Sequence, residues 1–209
     1  MIPYAEPSEL REERPDMPDR APHPELKYNL ALIGGRGCGK SSVAKRLART
    51  NRNFMLFSLD ALIRYESGAT RIPEIVDEKG WEGFRELEFE VVEKVSAFSS
   101  GALIDCGGGV VVDLNKKGKE VFSERKVSAL KRNSLIVYLE RDPDYLLSRI
   151  RNDANRPNLS ESDSFIEIMK RRGPWYEQTA DLILDCNEQD KSVLAEEILE
   201  WFYNRNGID

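Results

Sequence analysis

The residues best suited to chemistry lie in one glycine-rich stretch near the start of the chain. Residues 34–41 read GGRGCGKS and match the pattern G-x-x-x-x-G-K-[ST], with Gly34, Gly39, Lys40 and Ser41 at the fixed positions. In this pattern, glycines let backbone N–H groups converge on phosphate oxygens, the lysine reaches the β- and γ-phosphates, and the serine hydroxyl ligates Mg²⁺. The stretch therefore predicts a binding site for a nucleotide and Mg²⁺. Its candidate residues are Gly35, Gly37, Cys38, Gly39, Lys40, Ser41 and Ser42.

Apolar strands and helical stretches alternate along the chain and would position this site. The predicted strands are Asn29–Ile33, Phe54–Leu59, Ala102–Cys106, Leu135–Glu140 and Leu182–Asp185. The predicted helices are Ser41–Arg49, Ala61–Glu66, Trp81–Phe98, Pro143–Arg151, Ser164–Arg172 and Ser192–Tyr203. Continuously apolar strands separated by helices indicate a parallel sheet that is covered on both faces. We therefore predict a three-layer α/β domain.

Composition limits the partners and the compartment. The formal net charge of −6 argues against a nucleic-acid or membrane-surface binder, which usually presents a basic face. No apolar run approaches the roughly 18 residues of a transmembrane helix. Three widely separated cysteines favour a reducing compartment, and we expect a cytoplasmic protein. The single histidine, His23, precedes the predicted domain, which excludes a histidine-based triad or zinc site within it.

The first 26 residues differ in composition from the rest. They hold six of the ten prolines and seven acidic residues against three basic ones, without apolar periodicity. Such a segment cannot bury enough apolar surface to fold alone, so we predict a flexible tail over 1–26 and a kinase domain over 27–209. The tail is too acidic for an organellar transit peptide. A remnant left after removal of such a peptide, and hence a location in the plastid stroma, stays an alternative.

Six features in consistent order resemble the shikimate kinase family, over about residues 28–203. They are LFSLDALIRYESG with Asp60, GFRELE with Phe84, Arg85 and Glu88, CGGGV with Gly107, Gly108 and Gly109, Arg149, NRPNL with Arg156, and RRGPWY with Arg172 and Tyr176. The resemblance implies a three-layer P-loop kinase fold, with a five-stranded parallel sheet of order 2-3-1-4-5 and a small lid. It also implies ATP-dependent phosphorylation of shikimate at its 3-hydroxyl.

The same resemblance implies roles for individual residues. Arg85 and Arg172 would bind the carboxylate of shikimate, for which planar guanidinium groups are well suited. Asp60 would hydrogen-bond the ring hydroxyls and orient or accept the proton of the attacking one. Arg156 would close over the phosphates from the lid, and Arg149 would stack on adenine. The remaining substrate candidates are Phe84, Glu88, Gly107, Gly108 and Gly109, and Lys40 is a catalytic candidate with Asp60 and Arg156.

The sequence departs from the family pattern near the metal. Ser58 replaces the first aspartate of the family motif D-x-D-x-x-I, which helps to hold the water shell of Mg²⁺. Arg64 replaces an acidic residue that often follows this motif, and Asn158 alters the lid motif R-P-L-L. Asp105 ends an apolar strand, as a metal-binding carboxylate does in other P-loop proteins. We hypothesise that Asp105, with Ser41, compensates for Ser58; the alternative is that Asp105 caps the strand or bonds the glycine turn.

Three functions stay open on these grounds. The first is an active shikimate kinase, favoured because Asp60 and the candidate arginines are retained. The second is a non-catalytic relative that binds nucleotide and has a regulatory or binding role, which Ser58 and the altered lid favour. The third is a kinase of another small polyol such as gluconate, which would not need paired arginines. Arg85 and Glu88 could also form an ordinary surface ion pair on one helix. We expect a monomer, with a dimer as the alternative.

Overall fold

A computed structural model describes residues 25–150 and 163–208. These residues form five strands of one sheet, a separate two-stranded hairpin, and seven helices. The strands are β1 (Asn29–Ile33), β2 (Met55–Ser58), β3 (Ala102–Asp105), β4 (Val112–Leu114), β5 (Glu120–Phe122), β6 (Ser134–Glu140) and β7 (Leu182–Asp185). The helices are α1 (Lys40–Thr50), α2 (Leu59–Ser67), α3 (Ile72–Ser96), α4 (Glu124–Lys131), α5 (Pro143–Ile150), α6 (Phe165–Glu177) and α7 (Lys191–Asn206).

The main sheet is parallel throughout and confirms the predicted topology. Its strand order is β2-β3-β1-β6-β7. Because β4 and β5 form a separate antiparallel hairpin, numbering only the strands of the main sheet gives 2-3-1-4-5. The registers align Leu32 of β1 with Asp105 at the end of β3, and Asp105 with Ser58 at the end of β2. The carboxyl ends of three neighbouring strands therefore meet at one edge, where ligands of such sheets bind.

The sheet separates two apolar cores, which makes the domain three-layered. Along β1, Leu30 and Leu32 point into one core with α1 and α7, while Ala31 and Ile33 point into the other with α2, α3 and α4. All four of these side chains are fully buried. Because both faces are covered, the strand is continuously apolar from Leu30 to Ile33, and only its first residue, Asn29, is polar. In the described part of the chain, no helix is long and apolar enough to span a bilayer.

One predicted helix proves to be the second half of a longer one. The structure begins α3 at Ile72, nine residues before the predicted start at Trp81. Gly80 has φ of 68° and ψ of 175°, which is not helical and kinks α3 immediately before Trp81. Only glycine adopts this backbone region readily. The apolar periodicity starts anew after the kink, which explains why the sequence pattern located only the second segment.

The hairpin and α4 were missed by the sequence prediction. Asn115 accepts hydrogen bonds from the N–H groups of Lys117 and Lys119, and Gly118 adopts a positive φ of 71°, so residues 115–119 form the turn of the hairpin. Each strand has only three residues, too few for a reliable periodic pattern. The asparagine and glycine between two apolar runs were the signal that could have located the hairpin.

Two predictions fall largely or wholly on residues outside the described ranges. The tail predicted for 1–26 lies outside them except for its last two residues. The lid arginine, Arg156, also lies outside the described residues. The described chain resumes at Asp163, directly before α6, whose N-terminus is capped by Ser164 and Glu167 in a reciprocal capping box. This helix continues through Pro174 to Glu177, five residues beyond its predicted end.

Candidate active site

The glycine-rich loop joins β1 to α1 as the sequence predicted. Gly34, Gly37 and Gly39 all adopt positive φ, of 144°, 90° and 106° respectively. A Cβ at Gly34 would also lie 2.7 Å from the carbonyl oxygen of Leu139. No side chain of the described residues caps the first turn of α1. The positive end of the helix dipole is therefore free to face an anion.

Lys40 lies under this loop and is held by it. Its Nζ donates to the carbonyl oxygens of Gly34 and Gly35, at 2.9 Å and 3.0 Å. Burial lowers the pKa of Lys40, but the nearby groups of Cys38, Tyr176, Asp105 and Asp60 outweigh it, so the pKa lies above its usual value. The ammonium group therefore stays charged, as contact with phosphate requires.

A cleft of about 230 Å³ extends from the loop along the carboxyl edge of the sheet. Most of the predicted nucleotide and metal residues line its wall, together with three of the predicted substrate residues and several residues that were not predicted. The predicted ones are Gly37, Cys38, Gly39, Lys40, Ser41, Ser42, Asp60, Asp105, Gly107, Gly108 and Arg149, and the unpredicted ones are Cys106, Arg141, Tyr145 and Lys191. Arg141 stacks over the ring of Tyr145 at 4.6 Å, beside Arg149. Stacking groups of this kind suit an adenine ring.

Asp105 stands beside the position of the missing aspartate. It aligns with Ser58 across adjacent parallel strands, and it hydrogen-bonds the hydroxyl of Ser41. Its side chain is largely buried, and that burial holds its pKa above the usual range despite the hydrogen bond from Ser41. A carboxylate and a hydroxyl beside a phosphate-binding loop form the hard oxygen set that Mg²⁺ prefers, so these residues fit the ion.

The three glycines at residues 107–109, which we call the glycine turn, connect the two halves of the site. A Cβ at Gly107 would lie 2.8 Å from Oδ1 of Asp60, and one at Gly109 would lie 2.2 Å from Nη1 of Arg85. A Cβ at Gly108 would lie 3.1 Å from the backbone nitrogen of Arg36 in the glycine-rich loop. The absence of side chains therefore lets the nucleotide loop, Asp60 and Arg85 approach one another closely.

Arg85 is buried, which excludes the surface ion pair considered from sequence. The side chains of Arg85 and Glu88 are 4% and 2% exposed, and Nη1 donates to Glu88 at 2.7 Å and to the carbonyl of Gly109 at 3.2 Å. Among the described residues, the buried Nε of Arg85 has no hydrogen-bond partner. Phe84 and Trp81 pack against the guanidinium at 5.4 Å and 5.3 Å. The free Nε is a donor that an anionic ligand could satisfy.

Lys126, which the sequence reasoning missed, completes the surroundings of Glu88. Its fully buried Nζ donates to Glu88 at 2.7 Å and makes a short hydrogen bond to the carbonyl of Val112. Burial raises the pKa of Glu88, but the charges of Lys126 and Arg85 outweigh it, so the net shift is downward. Glu88 therefore balances two buried cations. No motif pointed to Lys126, because α4 itself was not predicted.

Arg172 reaches the glycine turn from α6. Its Nη1 donates to the carbonyl of Gly108 at 3.2 Å, its Nε to Glu120 at 3.2 Å, and its Nη2 makes a short contact with the other oxygen of Glu120. The hydroxyl of Tyr176 also donates to Gly108. Arg85 and Arg172, the two arginines predicted to bind a carboxylate, therefore donate to the adjacent carbonyls of Gly109 and Gly108. Glu120 was not predicted, since it lies on the unpredicted hairpin.

A phosphate-binding loop at the carboxyl edge of a parallel sheet of this order defines the fold of a P-loop kinase of a small molecule. The family model for shikimate kinase matches residues 36–203. A shikimate kinase of Leptospira biflexa is 39% identical over 173 residues, which are 83% of this chain and 94% of the relative. This chain therefore belongs to the shikimate kinase family.

Solved structures agree with this assignment. A shikimate kinase of Acinetobacter baumannii in complex with shikimate matches with a TM-score of 0.72 and 25% identity, over 85% of this chain and 94% of that one. A shikimate kinase of Aquifex aeolicus matches with a TM-score of 0.68 and 26% identity, over 86% and 99%. Membership confirms the predicted family and fold, and ATP is the co-substrate of this class of enzyme.

The buried position of Lys126 generates a prediction about stability. Lys126→Met removes one of the two cations that Glu88 contacts, and leaves a buried carboxylate with less compensation. Because removing one partner of a buried ion pair typically costs about 3 kcal/mol or more, we expect a loss of that size in the free energy of unfolding, measured by urea titration. The matched control is Lys94→Met, because Lys94 pairs with Glu66 on the surface. It should cost no more than about 1 kcal/mol. Equal effects of the two variants would contradict this account of Glu88.

Proposed function

We propose that this chain transfers the γ-phosphoryl group of ATP to the 3-hydroxyl of shikimate. One observation carries the proposal: the glycine turn meets Asp60 at Gly107, Arg172 at Gly108 and Arg85 at Gly109, while Gly108 also contacts the nucleotide loop. A carboxylate that can take a proton, two guanidinium groups and a phosphate-binding loop thus converge on three consecutive residues. Shikimate, a cyclic carboxylate with three hydroxyls, needs this combination.

The residues divide between the donor and acceptor substrates. Lys40, Ser41 and the loop N–H groups would bind the phosphates of ATP, and Arg149 would stack on its adenine. On the acceptor side, the free Nε of Arg85 and the guanidinium of Arg172 would hold the carboxylate of shikimate. Phe84 and Glu88 would keep Arg85 in place, and the residues of the glycine turn would let the ring approach the backbone.

The reaction follows from this placement. With the carboxylate of shikimate held by Arg85 and Arg172, its 3-hydroxyl would lie towards Asp60 and the loop. Asp60 would accept the hydroxyl proton as the oxygen forms its bond to the γ-phosphorus and the bond to the bridging oxygen of ADP breaks. Lys40 would stabilise the charge that develops on the transferred group. The products are shikimate 3-phosphate and ADP.

We further propose that Mg²⁺ is bound through Ser41 and Asp105. When bound, the ion neutralises phosphate charge. The first aspartate of the family motif is Ser58 here, but Asp105 aligns with Ser58 on the adjacent strand. A carboxylate is therefore retained at this edge of the sheet, and the main ground for a non-catalytic relative is weakened.

A coupled assay of ADP release with and without shikimate tests the function directly. We expect release only with both substrates, and a drop in kcat of about 100-fold or more in Asp60→Asn, because the general base is lost while the side chain keeps its shape. Gluconate in place of shikimate should give no turnover. ADP release that ignores shikimate, or no release at all, would support the non-catalytic alternative instead.

The close contact of Gly109 with Arg85 predicts a selective defect. In Gly109→Ala the new methyl group would overlap the guanidinium of Arg85, which must turn away. We expect KM for shikimate to rise about 10-fold or more, through loss of a charge-assisted hydrogen bond, with KM for ATP little changed. Gly173→Ala in α6 is the control, since a Cβ there would meet no atom within 4 Å. A KM for shikimate that is equal in both variants would place Arg85 outside the substrate site.

The role of Asp105 can be tested by moving its charge. Asp105→Asn should weaken binding of Mn²⁺ with ADP, measured by electron paramagnetic resonance, about 10–100-fold. The double variant Ser58→Asp with Asp105→Asn returns a carboxylate to the adjacent strand and should recover most of that affinity. Unchanged Mn²⁺ affinity in Asp105→Asn would show that Asp105 only bonds Ser41.

A further inference from the structure

We propose that Glu120 is a positioning residue that makes the acceptor site selective for a carboxylate. This inference rests on the proposed function, because it concerns how Arg172 is presented to shikimate. Glu120 begins β5 of the hairpin, belongs to none of the motifs that resemble the family, and has a side chain only 12% exposed. Its two carboxylate oxygens are both occupied by Arg172, and one of them also accepts from Arg171 at 3.1 Å.

The contacts of Glu120 fix the orientation of the Arg172 guanidinium. A guanidinium has five N–H donors. Glu120 takes Nε–H and one N–H of Nη2, and the carbonyl of Gly108 takes one N–H of Nη1. The hydroxyl of Tyr176 also hydrogen-bonds Arg172. All three nitrogens are therefore anchored, which fixes the plane in which the guanidinium can offer its remaining donor to a carboxylate.

Glu120 orients Arg172 without cancelling the positive charge next to the glycine turn. Its single negative charge is shared between Arg172 and Arg171. Arg171 also pairs with Asp163, whose side chain is 37% exposed, so water screens that carboxylate more effectively than the buried groups. Burial raises the pKa of Glu120, but hydrogen bonds from Arg172 and its charge prevail, so the pKa lies below its usual value. Glu120 thus stays ionised near neutral pH.

Arg85, the other arginine of the proposed acceptor site, is held in the same way as Arg172. This similarity supports the same role for both arginines. Arg85 contacts one glutamate, Glu88, which is shared with a second cation, Lys126, and it donates to a carbonyl of the glycine turn. Arg172 contacts Glu120, which is shared with Arg171, and it donates to the preceding carbonyl of the same turn. Two independent parts of the fold therefore hold a guanidinium against this turn with a shared glutamate.

The substitution Glu120→Gln tests the proposal, because an amide keeps the size but has one acceptor oxygen and no charge. Arg172 would lose at least one anchoring bond. We expect KM for shikimate to rise about 10-fold or more, KM for ATP to change less than about 2-fold, and kcat to change less than KM for shikimate. Preference for shikimate over its analogue with a hydroxymethyl group in place of the carboxylate should fall by a similar factor.

Glu86→Gln provides the matched control. Glu86 pairs with Arg125 at 2.6 Å on the outer side of α3 and touches neither the glycine turn nor Arg172. Its loss should leave KM for both substrates and the preference for the carboxylate unchanged. If Glu120→Gln does not fold, Glu120→Asp keeps the charge but shortens the reach, and it should raise KM for shikimate while KM for ATP stays constant.

The possible outcomes separate this inference from the proposed function. If the wild-type chain phosphorylates shikimate but Glu120→Gln leaves KM and the carboxylate preference unchanged, the role of Glu120 is wrong and the function stands. Equal rises in KM for ATP and shikimate, with a lower Tm, would show a purely structural role and likewise overturn it. If the wild-type chain neither binds shikimate in a calorimetric titration nor phosphorylates it, both proposals fall together.

Discussion

Two buried guanidinium groups have to be held beside a turn that has no side chains of its own. Arg85 and Arg172 are both less than a twentieth exposed, and the turn offers them only the carbonyls of Gly109 and Gly108. A charge buried in this way is costly unless it is paired. The fold meets the need with one glutamate for each arginine, Glu88 and Glu120. Each glutamate also contacts a second cation, so neither arginine is fully neutralised.

The elements around the turn follow from that requirement. The hairpin β4–β5 brings Glu120 to Arg172, and α4 brings Lys126 to Glu88. Because α6 continues beyond Gly173 and Pro174, Tyr176 reaches the same carbonyl of Gly108 that Arg172 uses. The hairpin and α4, which carry none of the family motifs, thus contact the motif residues Arg172 and Glu88. If the packing of the hairpin were lost, the orientation of the Arg172 side chain would change first.

The sequence predicted the main sheet and the nucleotide loop, because apolar strands of four to seven residues and a glycine-rich loop have recognisable local patterns. The strand order was predicted through the resemblance to the family. The sequence also predicted Asp60, Arg85 and Arg172 through family motifs. It could not predict Glu120 or Lys126, because these residues lie on short elements and act through contacts with residues 52 and 38 positions away. Contacts of that range depend on the tertiary fold, and three-residue strands have no period to detect. The kink at Gly80 likewise follows from the backbone dihedral angles of that residue, which the apolar pattern of the sequence does not reveal.

Ser58 and Asp105 illustrate how, in a parallel sheet, a carboxylate missing at the end of one strand can be present at the end of the adjacent strand. The carboxyl ends of β2, β3 and β1 lie side by side, with Ser58, Asp105 and Leu32 in register. Asp105 hydrogen-bonds the hydroxyl of Ser41, and the register places Ser58 directly beside Asp105. Burial keeps the pKa of Asp105 above its usual range, and a bound cation would offset that cost by favouring the ionised form. If Asp105 replaces the missing aspartate as proposed, β3 supplies the one acidic side chain required near Ser41 in place of β2.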